Sequence, residues 1–125
     1  MWDMEPTDEF RHRLKKGTKN YPRELEATLA NLDRLQKALR NGANPLDIPL
    51  GCLHREQKGV LAVDQKGHGN NLAQTQLYVY LDFDTKVIHL ISIGQKQSQN
   101  ADVKFASQFV ESLKKGKARG ESHGQ

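Results

Sequence analysis

The pattern of apolar and polar positions is clearest between Gln76 and Ile93. Leu77, Val79, Leu81 and Phe83 alternate with Tyr78, Tyr80 and Asp82, the period of two that predicts a half-buried strand over Gln76 to Phe83. Lys86 to Ile93 is nearly continuous in aliphatic and β-branched residues, which predicts a strand covered on both faces or central in a sheet. Asp84 and Thr85 supply the turn between them. A hairpin this apolar is not stable alone in water, so the other segments must cover it. Upstream, Thr7 caps a short helix over Asp8 to Lys16, with Asp8 and Glu9 in its first turn and Phe10 and Leu14 forming an i, i+4 docking pair. Gly17 to Pro22 breaks that pattern. Pro22 or Arg23 then opens a second helix to about Asn41, with Leu25, Leu29, Leu32, Leu35 and Leu39 on one stripe and Gly42 at its end.

From Ala43 to Gly51 the pattern predicts a loop in which Leu46, Ile48 and Leu50, interleaved with Pro45 and Pro49, lie down on the fold. Cys52 to Glu56 and Val60 to Lys66 read as two further strands around a turn at Gln57 to Gly59. Gly67 to Asn71 reads as a mobile loop. Asn100 caps a last helix from Ala101 to about Lys115, and residues 116–125 have nothing to bury and read as a disordered basic tail. Helix, helix, four strands, helix predicts an α+β two-layer sandwich: an N-terminal helical hairpin, a four-stranded, mainly antiparallel sheet and a C-terminal helix, all one domain over residues 1–115.

Composition narrows the function classes. The chain has 125 residues, 36% hydrophobic and 27% charged, as an ordinary single domain has. No apolar run approaches the roughly 20 residues of a membrane-spanning helix, and the acidic, polar MWDMEPTDEF is unlike a signal peptide; cytoplasm and no membrane partner are the expectation. A single cysteine, Cys52, excludes an intramolecular disulfide and a cysteine-rich zinc site. The net charge of +4 suits a polyanion or an acidic protein partner. The sequence has no Gly-rich phosphate loop and no Ser/His/Asp arrangement, and its five histidines are dispersed, so no metal or cofactor is predicted.

The segment from Ile93 to Val103, Ile-Gly-Gln-Lys-Gln-Ser-Gln-Asn-Ala-Asp-Val, resembles the strand-to-helix corner of the RelE/ParE superfamily of toxin-antitoxin toxins. The addiction-module killer proteins carry Gly-Asp-Lys-x-Ser-Gln-x-x-Asp-Ile there. Gly94, Lys96, Ser98, Gln99 and Asp102 match in spacing, Val103 replaces isoleucine, and Gln95 departs from the usual acid. In element order the resemblance extends over residues 8 to 115. It implies a ribosome-dependent messenger RNA endonuclease that attacks the scissile phosphate with the neighbouring 2′-hydroxyl without metal, and a cognate antitoxin that neutralises it. The superfamily also contains toxins that bind and poison DNA gyrase, and a non-toxic domain that binds nucleic acid or protein is a third reading.

Such a reaction needs a base, cations for the phosphate and aromatics for bases. Arg55, Lys58 and Lys66 stand where the resemblance implies catalytic cations; each also fits a solvated charge at a strand end. His54 and His68 are candidate acid–base groups because imidazole titrates near neutral pH. Tyr78 and Tyr80, two apart on one strand, are placed either to stack on bases or to pack. Lys96 lies within the matched segment. Arg11, Arg13, Lys15, Lys16 and Lys19 offer RNA or antitoxin contacts, or simply a wet helix face. His89 shares a strand face with Ile91 and Ile93 by simple alternation: if that face is the core it is a satisfied buried histidine, the favoured reading, and if it is the concave face it points at substrate. The arginine that the superfamily commonly carries at the third strand falls here on Leu77 or Tyr78, and no arginine occurs between Arg55 and Arg119. That departure leaves phosphate charge to Arg55 and lysines, and it fits the gyrase-binding branch.

Overall fold

The computed structural model describes the chain apart from residues 46, 48, 49, 70, 124 and 125 and the side chains of residues 118–123. The expectation for Leu46 and Ile48 therefore lies outside the described residues. The apolar hairpin is the centre of the sheet: β4 (Thr75–Asp82) and β5 (Val87–Gln95) pair antiparallel. β3 (Leu61–Asp64) pairs antiparallel with β4, and β2 (Leu53–Arg55) with β3. The helical hairpin is present as α1 (Asp8–Asn20) and α2 (Pro22–Arg40), and the last helix as α3 (Gln99–His123). The α+β class and the mainly antiparallel sheet agree with the hydrophobic pattern.

The sheet has a fifth strand in place of the expected four. β1 (Asp3–Pro6) lies parallel beside β5, pairing Asp3 with Val87 through Pro6 with Leu90, and the order is β1-β5-β4-β3-β2. Thr7 joins this strand to α1. Its amide donates to the Leu90 carbonyl at 3.0 Å, its hydroxyl donates to the Ile91 carbonyl at 2.7 Å, and the same hydroxyl accepts from the Phe10 amide at 3.0 Å. The cap expected from the sequence thus also fixes the helix to the sheet.

A β-bulge decides which side chains face which helices. Tyr78 pairs with Ser92 but Val79 pairs with Leu90, so Ile91 is the extra residue of β5. Leu77, Val79, Leu81, Ile88, Leu90 and Ile93 consequently share one face with Leu61 and Val63, where Phe10 of α1 and Leu25, Leu32, Leu35 and Leu39 of α2 cover them. Tyr78 and Ile91 share the other face with Val60 and Ala62 under Ala106 and Val110 of α3. Helices therefore lie on both sides of the sheet. The bulge also separates Ile93 from the face of His89 and Ile91 on which alternation had placed it.

Two helix boundaries differ from the sequence reading. α1 continues through Gly17 to Asn20, because Gly17 packs beside the Tyr21 ring, where a Cβ would come within 2.9 Å of it; the break falls at Tyr21. α3 begins at Gln99 and continues beyond Lys115. Lys117 anchors that extension, with Nζ 2.7 Å from the buried Asp82 carboxylate. Burial pushes the Asp82 carboxyl up, but the Lys117 ammonium and the Thr85 donors outweigh it and hold the group below the usual aspartate range.

His89 is buried between the Tyr80 ring, at a centroid distance of 6.1 Å, and the Phe109 ring at 5.9 Å. Burial lowers its pKa from the ordinary 6.5, against the opposing pull of Glu5 and Asp82, with Lys117 adding to the decrease. The unfolded chain then binds the extra proton more readily than the folded one, so this group's contribution to stability is lost as pH falls below the ordinary imidazole range. Urea midpoints measured between about pH 7 and about pH 5 should fall for the wild type and fall less for His89→Phe; equal slopes would refute the assignment.

Candidate active site

The segment that carries the family resemblance is a structural corner. Asp102, 1% exposed, accepts from Arg13 Nη1 on Oδ1 at 2.8 Å and from the Ser98 hydroxyl on Oδ2 at 2.6 Å. Arg13 also donates to the Ile93 carbonyl at 2.9 Å and pairs with Glu9 at 2.7 Å. A Cβ on Gly94 would lie 1.8 Å from Asp102 Oδ2, so only glycine admits the carboxylate at this position. The matched Gly, Ser and Asp, with Arg13, tie β5, the turn after it, α3 and α1 to one point. Arg13 is therefore withdrawn from the wet basic face to which the sequence assigned it. Arg11, Lys15, Lys16 and Lys19 remain exposed on α1.

A different cluster has the makings of chemistry. At the end of β3, Asp64 is 3% exposed, and its Oδ2 lies 2.6 Å from Nε2 of His54 on the adjacent strand β2. A carboxylate acceptor selects, for a neutral imidazole, the tautomer with the proton on Nε2 and the lone pair on Nδ1. Asp64 Oδ1 accepts from the Lys66 amide at 2.9 Å, and Lys66 Nζ stands 3.7 Å from Oδ2. Asn31 of α2 braces the strand end from behind: its amide donates to the carbonyls of Asp64 at 2.7 Å and Lys66 at 3.0 Å. The cluster opens into a groove of about 410 Å³ lined by His54, Glu56, Asp64, Lys66, Gln76 and Gln99 among others. A carboxylate that orients an imidazole, beside a lysine ammonium, can accept a proton and meet a developing negative charge in the same place.

The remaining sequence candidates are dispersed. Lys58, at a left-handed φ of 59° in the turn Gln57–Gly59, pairs with Glu111 of α3 at 3.4 Å and lines a second groove of about 590 Å³ between that turn and α3. Glu56 and Gln99 line both grooves, so the two are neighbours. Arg55 and Tyr80 line a third, more apolar groove of about 340 Å³ with Phe83. Lys96 is exposed on the short turn Lys96–Ser98. His68, in the segment read as a mobile loop, binds Asn31 Oδ1 of α2 through Nε2 at 2.8 Å.

Tyr78 cannot stack on a base. It is completely buried beneath α3, its hydroxyl donates to Gln76 Oε1 at 2.8 Å, and burial holds the phenol far above its ordinary pKa. Alternation correctly put it on one face with Tyr80, but that face is covered. Asp64 and Asn31 were not among the sequence candidates. An acid closing an apolar strand, Leu-Ala-Val-Asp, was the available signal for the first; nothing in the leucine stripe of α2 marked the second.

No known family description matches the chain, and no curated protein sequence does. Among solved structures, the crystal structure of YafQ from E. coli strain BL21(DE3) is similar, with 19% identity, coverage of 79% of this chain and 98% of that chain, and a TM-score of 0.49. Among the described residues, no helix is long and apolar enough to cross a membrane.

Proposed function

We propose that this chain is a RelE/ParE-type toxin of a toxin-antitoxin module that cuts messenger RNA on the ribosome, with His54, Asp64 and Lys66 as its reacting groups. The observation that carries the reading is the buried Asp64 carboxylate holding the His54 imidazole at 2.6 Å beside the Lys66 ammonium in an open polar groove. His54 Nδ1 takes the proton of a ribose 2′-hydroxyl as that oxygen forms a bond to phosphorus. Asp64 stabilises the resulting imidazolium, and Lys66 meets the extra charge on the phosphoryl oxygens. The bond from phosphorus to the 5′-oxygen breaks, and that oxygen leaves with a proton from water. The products are a 2′,3′-cyclic phosphate and a 5′-hydroxyl end. The exposed Arg11, Lys15, Lys16 and Lys19 of α1 suit ribosomal RNA or an acidic antitoxin.

Induced expression in a bacterial host tests this reading. Wild type should arrest growth and leave primer-extension stops in a reporter transcript, and Lys66→Ala should remove both. Arrest with intact transcripts would overturn the reading in favour of a bound target such as gyrase, and unimpeded growth would overturn the toxin itself.

A further inference from the structure

The groove between the Gln57–Gly59 turn and α3 has a different chemistry from the neighbouring groove of His54 and Lys66. Four carboxamides line it: Gln57 from the turn, and Gln99, Asn100 and Gln108 from α3. A carboxamide presents a donor and an acceptor side by side, the pattern that matches the edge of a nucleobase. Two cations, Lys58 and Lys104, stand among them, the first already paired with Glu111. Gln57, Asn100, Lys104 and Gln108 are exposed, and Val103 is the groove's one aliphatic lining residue. The Lys58 backbone, in the left-handed region, folds the turn tightly against α3 and makes one wall of the groove. Glu56 and Gln99 are shared with the lining of the groove of His54 and Lys66, so the two sites are adjacent.

We infer that this amide-lined groove is a specificity subsite for an unpaired nucleotide flanking the scissile phosphate, in which Gln57 and Gln108 read the base edge and Lys104 meets the backbone. The inference rests on the RNA-cleavage reading. A duplex end does not suit the groove, because paired bases have no free Watson–Crick edge to offer the carboxamides; single-stranded RNA does. Glu56 and Glu111 make the groove's formal charge balanced, so recognition there depends on hydrogen bonding more than on phosphate attraction. Discrimination by base is the expected result, not tight general binding.

The test uses a random pool of single-stranded 2′-O-methyl RNA about ten nucleotides long, which cannot be cleaved by 2′-hydroxyl attack. Wild type should enrich particular bases by about tenfold. Gln57→Ala with Gln108→Ala should keep affinity for the unselected pool and lose the enrichment. Lys104→Ala should weaken binding to all sequences several-fold and lower the salt dependence by about one charge. All these positions are exposed, so thermal unfolding should be unchanged in each variant. If the enrichment survives in the glutamine variant, or the pool does not bind at all, the subsite is overturned; the latter result would fit a peptide-binding groove. If the enrichment depends on the glutamines while the wild type cuts no transcript, the subsite stands and the cleavage reading falls. If transcripts are cut but their flanking bases do not change in the glutamine variant, cleavage stands and the subsite falls.

Discussion

Gly94→Ala should destabilise the protein by about 3 kcal/mol, more than any other single-methyl change in the sheet. The added Cβ would come 1.8 Å from Asp102 Oδ2 and 2.8 Å from both Asp102 Cγ and Ser98 Oγ. A flexible surface group would swing away from such a contact, but Asp102 is held on one oxygen by Arg13 and on the other by Ser98 and is 1% exposed. Relief therefore requires either shifting α3 off the sheet or turning the carboxylate out. The second route leaves the Arg13 guanidinium without its best-buried partner, and breaking one side of such a pair is costly. Asp102→Ala should be destabilising for the same reason. The two changes should not add: once the carboxylate is gone the 1.8 Å contact is gone with it and the Ser98 hydroxyl, released from Asp102, can rotate away from the new methyl, so the double variant should be little worse than Asp102→Ala alone. Urea unfolding of the four proteins measures this. If Gly94→Ala lies within about 0.5 kcal/mol of wild type, or if the two effects sum, the corner is not built as described.

The same corner shows how sequence pattern and structure relate here. The central hairpin, the Thr7 cap and the start of α2 at Pro22 were legible because each rests on local chemistry: alternation, a hydroxyl before acidic residues, and a proline at the first helical position. β1 was not legible. Its four residues, Asp3–Pro6, alternate only weakly, and its pairing is parallel to a strand more than eighty residues away, a relation no local window contains. The Ile91 bulge was equally hidden, and it moved Ile93 to the opposite face from His89. The strand face of Tyr78 and Tyr80, read as placed either to stack on bases or to pack, is covered by α3 at Tyr78, which therefore packs, whereas Tyr80 lines a groove with Arg55 and Lys66 lines the one with His54. His54 gained a place because strand pairing brings β2 to β3, and Asp64, an unremarked acid in an apolar strand, supplied its partner. The Gly94 to Val103 match pointed to a fold-holding corner, and the reacting groups proposed here come from β2, the end of β3 and the residue two past it.

His54→Ala should lower the rate of transcript cleavage by about 10² to 10⁴, the range for loss of a positioned general base. Stability should change little, because the imidazole is more than a third exposed, at 39%, and its partner Asp64 keeps the Lys66 amide and ammonium. Asp64→Asn should lower the rate as well. The amide can no longer fix one tautomer of His54, since it can donate as well as accept, and it offers no charge to a forming imidazolium. If the two residues act as a unit, the double variant should be no slower than the worse single one. Binding of the uncleavable 2′-O-methyl RNA separates chemistry from recognition. His54→Ala should bind it as wild type does, whereas Lys104→Ala should bind less tightly. A His54→Ala protein that cuts within a few-fold of the wild-type rate would remove the imidazole from the reaction. The base would then have to be sought among the other groups of the same groove, where Glu56, a carboxylate that also lines the two neighbouring grooves, is the next candidate.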